Sequence, residues 1–258
     1  MWDHLWLESM TICGVPGECG NLDRMKRPPK QPLPEEDRAL AADSDAIVQI
    51  KVWLLGVSPM VWRRVLVPAT LMLRELHGVI QVAMGWEGYH LYQFCLRARR
   101  FGSWELSASS PDVALAALGL RKGARFGYEY DLNIPWRHEI RVEAHLPAEP
   151  DKLYPSCTGG GGSCPPEDCG GPDSFLARRD DTLSLDAMED LDTMVGILRQ
   201  VVLEDRPELL ADEETRWRLK DAVERGKARV RAQGRPFSRR TVNASLRDGE
   251  HRSLMHQQ

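Results

Sequence analysis

Between residues 47 and 68 apolar and polar positions alternate. In IVQIKVWLL, Val48, Ile50, Val52 and Leu54 interleave with Gln49, Lys51 and Trp53, the period of a strand with one buried face. After the turn GVSP, VWRRVLVP repeats the alternation, with Val61, Val65 and Val67 on one face around Arg63. Two such segments joined by a short turn predict a β-hairpin. The period then lengthens. In TLMLRELHGVIQVAMGW, Leu73, Leu76, Ile80 and Ala83 or Met84 recur at helical spacing, and Thr70 stands where a cap is expected. This helix is expected to pack on the hairpin, with His77 a core histidine at the edge of its stripe.

Period two returns in HLYQFCLRARRFGS, read as one strand with Leu91, Gln93, Cys95 and Arg97 on one face and Tyr92, Phe94 and Leu96 on the other. A short helical turn is expected near VALAALGL. RFGYEYDL and RHEIRVEAHL then alternate as two further strands. The order strand, strand, helix, strand, strand, strand predicts an α+β fold, a mostly antiparallel sheet wrapped around one helix with β-grasp character. Beyond it the pattern is helical. MEDLDTMVGILRQVV sets Met188, Leu191, Met194 or Val195 and Leu198 on one stripe, and ETRWRLKDAVERGKARVRAQG sets Trp217, Ala222 or Val223 and Val230 on a sparser one. These helices are expected to dock on or beside the sheet. The expected division is a leader over 1–45, rich in breakers (RPPKQPLPEED), an α+β domain over 46–178 and a helical extension over 179–258.

Composition narrows the class. The 258 residues are 42% hydrophobic and 28% charged, ordinary for a globular protein. No apolar run approaches the roughly 20 residues of a membrane span. MWDHLWLESM lacks the order of a secretory signal, so a cytoplasmic location is expected, and Met25, which opens MKRPPKQPLPEED, is a candidate translation start. The net charge of −4 conceals asymmetry. Residues 180–214 hold 12 acids against 2 bases, and residues 215–258 hold 12 bases against 4 acids. Either the two segments pair with each other or the basic one meets a polyanion.

Several segments in order, VWRRVLVP, LRELHGVIQVAMGW, HLYQF, YEYD, WRHEI, LPAEPDKLYPSC and CPPEDCGGP, resemble the plasmid pRiA4b ORF-3-like family. Its members are often labelled TnpR-type passengers of insertion sequences. The resemblance covers roughly 47–173 and implies an α+β fold and little about activity. LNIP in YEYDLNIPWRHEI stands where relatives usually carry a Gly-Asp-Gly turn, and Tyr92 where they carry a second histidine. A serine resolvase needs arginines converging on its nucleophile; Ser58 lies near Arg63 and Arg64, but those are placed along a strand.

The chemistry concentrates in YPSCTGGGGSCPPEDCGG, residues 154–171. Cys157, Cys164 and Cys169, with His138 as fourth ligand, are a candidate zinc set, although the spacing is not that of a zinc ribbon. His90, Asp131, Trp136, Glu167 and Asp168 are candidates for a pocket beside it. Cys157 or Cys164 activated by His138 and oriented by Asp131 is the thiol alternative. GGGGSCPPED lacks the lysine and hydroxyl of a P-loop. The plainer reading is a loop of packed thiols shaped by glycine and proline. Cys13 and Cys19, in the leader, are left out of any site. In the basic segment Arg229, Arg231, Arg235, Arg239 and Arg240 are candidate phosphate contacts. The expected function is that of a non-catalytic, mobile-element-associated accessory or interaction protein, touching nucleic acid through the basic carboxy-terminal segment or another protein and no membrane, with its oligomeric state open. The alternative is a metal- or thiol-dependent, hydrolase-like enzyme at the cysteine loop.

Overall fold

The computed structural model describes residues 46–180 and 184–255. The leader and Cys13 and Cys19 lie outside the described residues. The fold is α+β. Seven antiparallel strands form one sheet: β1 (Ile47–Leu54), β2 (Trp62–Pro68), β3 (Tyr92–Leu96), β4 (Arg99–Gly102), β5 (Arg125–Tyr130), β6 (Trp136–Leu146) and β7 (Ser156–Gly161), in the order β4-β3-β5-β6-β1-β2-β7. β1 and β2 are the predicted hairpin, with Ile50 opposite Val65 and Trp53 opposite Trp62. The segment read as one strand from His90 is two. Tyr92–Leu96 folds back on Arg99–Gly102 through a turn in which Arg97 takes φ +54°, so Phe94 pairs with Phe101.

The helix α1 (Leu73–Met84) lies on the inner face of the sheet. It begins after the predicted cap Thr70, because the chain there is committed elsewhere. Leu71 N–H bonds Pro68 O, Leu73 N–H bonds Val113 O, and the Glu75 carboxylate instead accepts from Met72 N–H at 2.9 Å. Ten of its twelve residues are buried, more than one sheet can cover, because two C-terminal helices close its other side. These are α5 (Arg239–Arg247) and α6 (Glu250–Leu254). Gly78 permits this closure: a Cβ there would stand 2.0 Å from His251 O. Val242 and Leu246 of α5 belong to the same core as the sheet.

Between them lie α2 (Gly171–Asp180), α3 (Leu185–Val202) and α4 (Glu213–Ala232). α3 and α4 pack as a helical hairpin, each with a side-chain cap: Ser184 Oγ accepts from Ala187 N–H, and Asp212 Oδ2 from Thr215 N–H at 2.8 Å. The acidic and basic segments do meet. Asp190, 4% exposed, accepts from Arg225 Nε at 3.0 Å and from Arg229 Nη1 at 2.5 Å. The helices were expected on or beside the sheet, and the apolar stripe of α3 is not covered by it. Met188, Leu191, Val195 and Leu198 are all more than half exposed, as are Trp217 and Val230 of α4.

Candidate functional site

The glycine run was read as part of a loop, yet Ser156–Gly161 is strand β7, paired with β2. Glycines in a strand normally weaken it, and here side chains on both faces require them. On the outer face the Trp62 indole lies across Gly159 and Gly161, where a Cβ on Gly161 would come within 2.8 Å of the indole nitrogen. On the inner face a Cβ on Gly160 would sit 2.7 Å from the Phe237 ring. Phe237 in turn stacks on Arg63, whose guanidinium carbon is 4.6 Å from the ring centroid.

Arg63 is 2% exposed. The period-two pattern places it in phase with Val61, Val65 and Val67, so its burial was legible, but its partners were not. Its guanidinium donates to Ala83 O at 2.7 Å, Trp62 O at 2.7 Å and Gly161 O at 2.8 Å. Ala83 lies at the carboxy-terminal end of α1, where the helix dipole favours a cation. One side chain thus ties β2, β7 and α1 together. Burial lowers its pKa, and the neighbouring Cys164 and Cys157 act in the opposite sense.

The acidic end of the loop forms a clasp. Glu167 accepts from Glu87 N–H at 2.6 Å, from Tyr89 N–H at 3.3 Å and from the Tyr130 hydroxyl. The indoles of Trp86 and Trp136 donate to Pro165 O at 2.8 Å and Glu167 O at 3.1 Å. His90 Nε2 meets Asp168 Oδ1 at 2.9 Å. Of the predicted pocket residues, His90, Trp136, Glu167 and Asp168 therefore do come together. Asp131 shapes the neighbouring turn at φ +55°, its carboxylate accepting from Asn133 N–H at 3.2 Å. What these groups build is a closed fastening of the PPED segment to the turn at 86–90, with Trp86 stacked on Tyr130 at 5.4 Å. Burial, then the contact with Glu167, pushes the Tyr130 hydroxyl well above its usual range.

Beneath the clasp lies a buried polar cluster that sequence reasoning missed except for His77 and His138. Gln81 Nε2 donates to Tyr128 Oη at 2.8 Å, and the same hydroxyl is hydrogen-bonded to His77 Nδ1 at 2.7 Å. His138 Nδ1–H donates to Trp136 O at 3.0 Å. Among the described residues His77 Nε2, Gln81 Oε1 and His138 Nε2 find no hydrogen-bond partner. Desolvation lowers His77 to about 3 and His138 to about 4, keeping both neutral.

The predicted metal set does not converge. Among the described residues no group of three or more His, Cys, Asp or Glu is placed to hold a metal ion. Cys157 Sγ is directed at Gly159 O at 3.4 Å, Cys169 Sγ is 3.9 Å from Gly171 O, and His138 is committed to Trp136. The loop spans an edge strand and a clasp, and its thiols fall on separate parts of it. Burial pushes Cys164 up to about 12 and raises Cys157 and Cys169, the opposite of what a thiol nucleophile needs. The basic candidates separate as well. Arg229 is paired with Asp190, and Arg235 exchanges backbone hydrogen bonds with Cys164. Arg231, Arg239 and Arg240 are exposed.

The chain belongs to the plasmid pRiA4b ORF-3-like protein family, whose profile matches residues 46–200. The uncharacterized protein y4hQ of Sinorhizobium fredii (strain NBRC 101917 / NGR234) is 41% identical over 133 residues, 49% of this chain and 68% of that protein. The crystal structure of MM3350, a protein of unknown function from Methanosarcina mazei Go1, is 26% identical with a TM-score of 0.49, over 57% of this chain and 88% of that one. Among the described residues no helix is long and apolar enough to cross a membrane.

Proposed function

We propose that this family member is a non-catalytic interaction protein in which the sheet module is a rigid platform and the α3–α4 hairpin is the docking element. The observation that carries the reading is the exposed stripe of α3. A surface helix buries its apolar stripe against its own protein; here Asp190 and Met194 face α4 while Leu185, Met188, Leu191, Val195, Leu198 and Val202 face solvent. A contiguous apolar patch of this kind marks an interaction surface. The thiols raised by burial, and a Glu167 carboxylate engaged as a clasp, support a structural role for the cysteine loop over a catalytic one.

Sedimentation of fluorescently labelled chain in extract of the native host tests this, with Leu191→Glu/Leu198→Glu as the comparison. The natural chain is expected to sediment as a complex and the variant as a monomer with unchanged melting temperature. A natural chain that stays monomeric in extract overturns the reading. Exposed Arg231, Arg239 and Arg240 favour a second, weaker contact with nucleic acid. Duplex DNA binding that is absent at low salt removes it.

A further inference from the structure

We infer that the occupant of the α3 stripe is a second copy of this chain, paired antiparallel about a two-fold axis near Val195; this rests on the docking role just proposed. The spacing of the stripe is the first reason. Met188, Leu191, Val195, Leu198 and Val202 recur at intervals of three, four, three and four, the seam that packs helix against helix in coiled coils and four-helix bundles. All five are more than half exposed along a helix of 18 residues.

Charge chooses the partner and the direction. The amino-terminal half of α3 carries Asp186, Glu189 and Asp192, and its carboxy-terminal half carries Arg199. Asp192 and Arg199 are seven residues apart and flank the same side of the seam. A parallel pair would set Asp192 beside the partner subunit's Ala187 and Arg199 beside the partner subunit's Met194, with no charge for either to meet. An antiparallel pair centred near Val195 sets Asp192 against the partner subunit's Arg199, twice by symmetry, and opposes the helix dipoles. The same register sets Leu191 against the partner subunit's Leu198 and Met188 against the partner subunit's Val202. Arg199 now lies 3.4 Å from Glu204, an exposed contact that solvent screens and that is readily exchanged.

The test uses the full chain. Sedimentation equilibrium is expected to show a concentration-dependent dimer, abolished by Leu191→Glu/Leu198→Glu. Val195→Cys is expected to give a disulfide-linked dimer under mild oxidation and Met188→Cys to give none beyond the natural chain, since antiparallel pairing holds the two copies of position 188 apart. Asp192→Arg or Arg199→Asp alone should weaken the dimer about tenfold, and the double exchange should restore it. A chain that is monomeric at every concentration, equal crosslinking at 188 and 195, or no rescue by the double exchange overturns the proposal. Monomer in buffer with a complex in host extract overturns only the second copy and leaves the docking role standing.

Discussion

The sheet module and the α3–α4 hairpin both bury a charge, and they do so in opposite surroundings. Arg63 sits inside an apolar core, held by three backbone carbonyls and an aromatic ring. Asp190 sits between two helices, covered largely by the arginines that neutralise it. In the sheet module the apolar residues are inside and the polar residues that enter have fixed partners. In the hairpin an ion pair joins the helices and much of the apolar surface faces out. The difference teaches that the sheet module covers its apolar surface with its own chain while the hairpin leaves much of its apolar surface open, which is the ground of the docking role proposed above.

The largest expected effect comes from Arg63→Met. Hydrogen bonds to a charged group contribute about 1.5–3 kcal/mol each, and three carbonyls would lose theirs. A loss on the order of 3 kcal/mol or more is expected in denaturant unfolding. An equal loss from Asp190→Ala would erase the comparison.

Next is pH. His77 and His138 stay neutral in the folded protein down to about 3 and 4, while in the unfolded chain they take up protons near 6.5. Their stabilisation is therefore fully present above pH 6.5 and is lost as pH falls towards those values, at roughly 1.4 kcal/mol per pH unit for each. Asp190 is held near 2 by Arg225 and Arg229, so its contribution is present above about pH 4 and is lost only as pH falls towards 2. Amide exchange followed against pH should show the sheet core weakening first. A hairpin that loosens between pH 6.5 and 5 while the core is unchanged would reverse the assignment.

Gly78→Ala should cost about 1–3 kcal/mol, because its methyl group meets the backbone of α6. The smallest effect sharpens the contrast. Gly196→Ala should stabilise α3 by about 0.5–1 kcal/mol, since a Cβ there meets nothing within 4 Å, and should leave the dimer intact because position 196 faces away from the seam.

Much of the sheet was legible because strand alternation is a local property. Val48, Ile50, Val52 and Leu54 had to face one way whatever they met, and the phase of Arg63 already placed it among the valines. The clasp residues His90, Trp136, Glu167 and Asp168 were legible as a group, but their use was not, since Glu167 finds its partners at 87, 89 and 130. The candidate zinc ligands do not come together among the described residues for the same reason: cysteines close in sequence say nothing about which strand or turn carries each.

By itself the sequence determined the α+β class, the hairpin, the central helix and the apolar stripe of α3, because periodicity dictates which residues share a face. Only the tertiary structure decided which faces are covered. It placed Phe237 and Trp62 against the glycines of β7, brought α5 and α6 back over α1, and left the stripe of α3 open. Coverage depends on contacts between residues tens to hundreds of positions apart, and a local pattern carries no record of them.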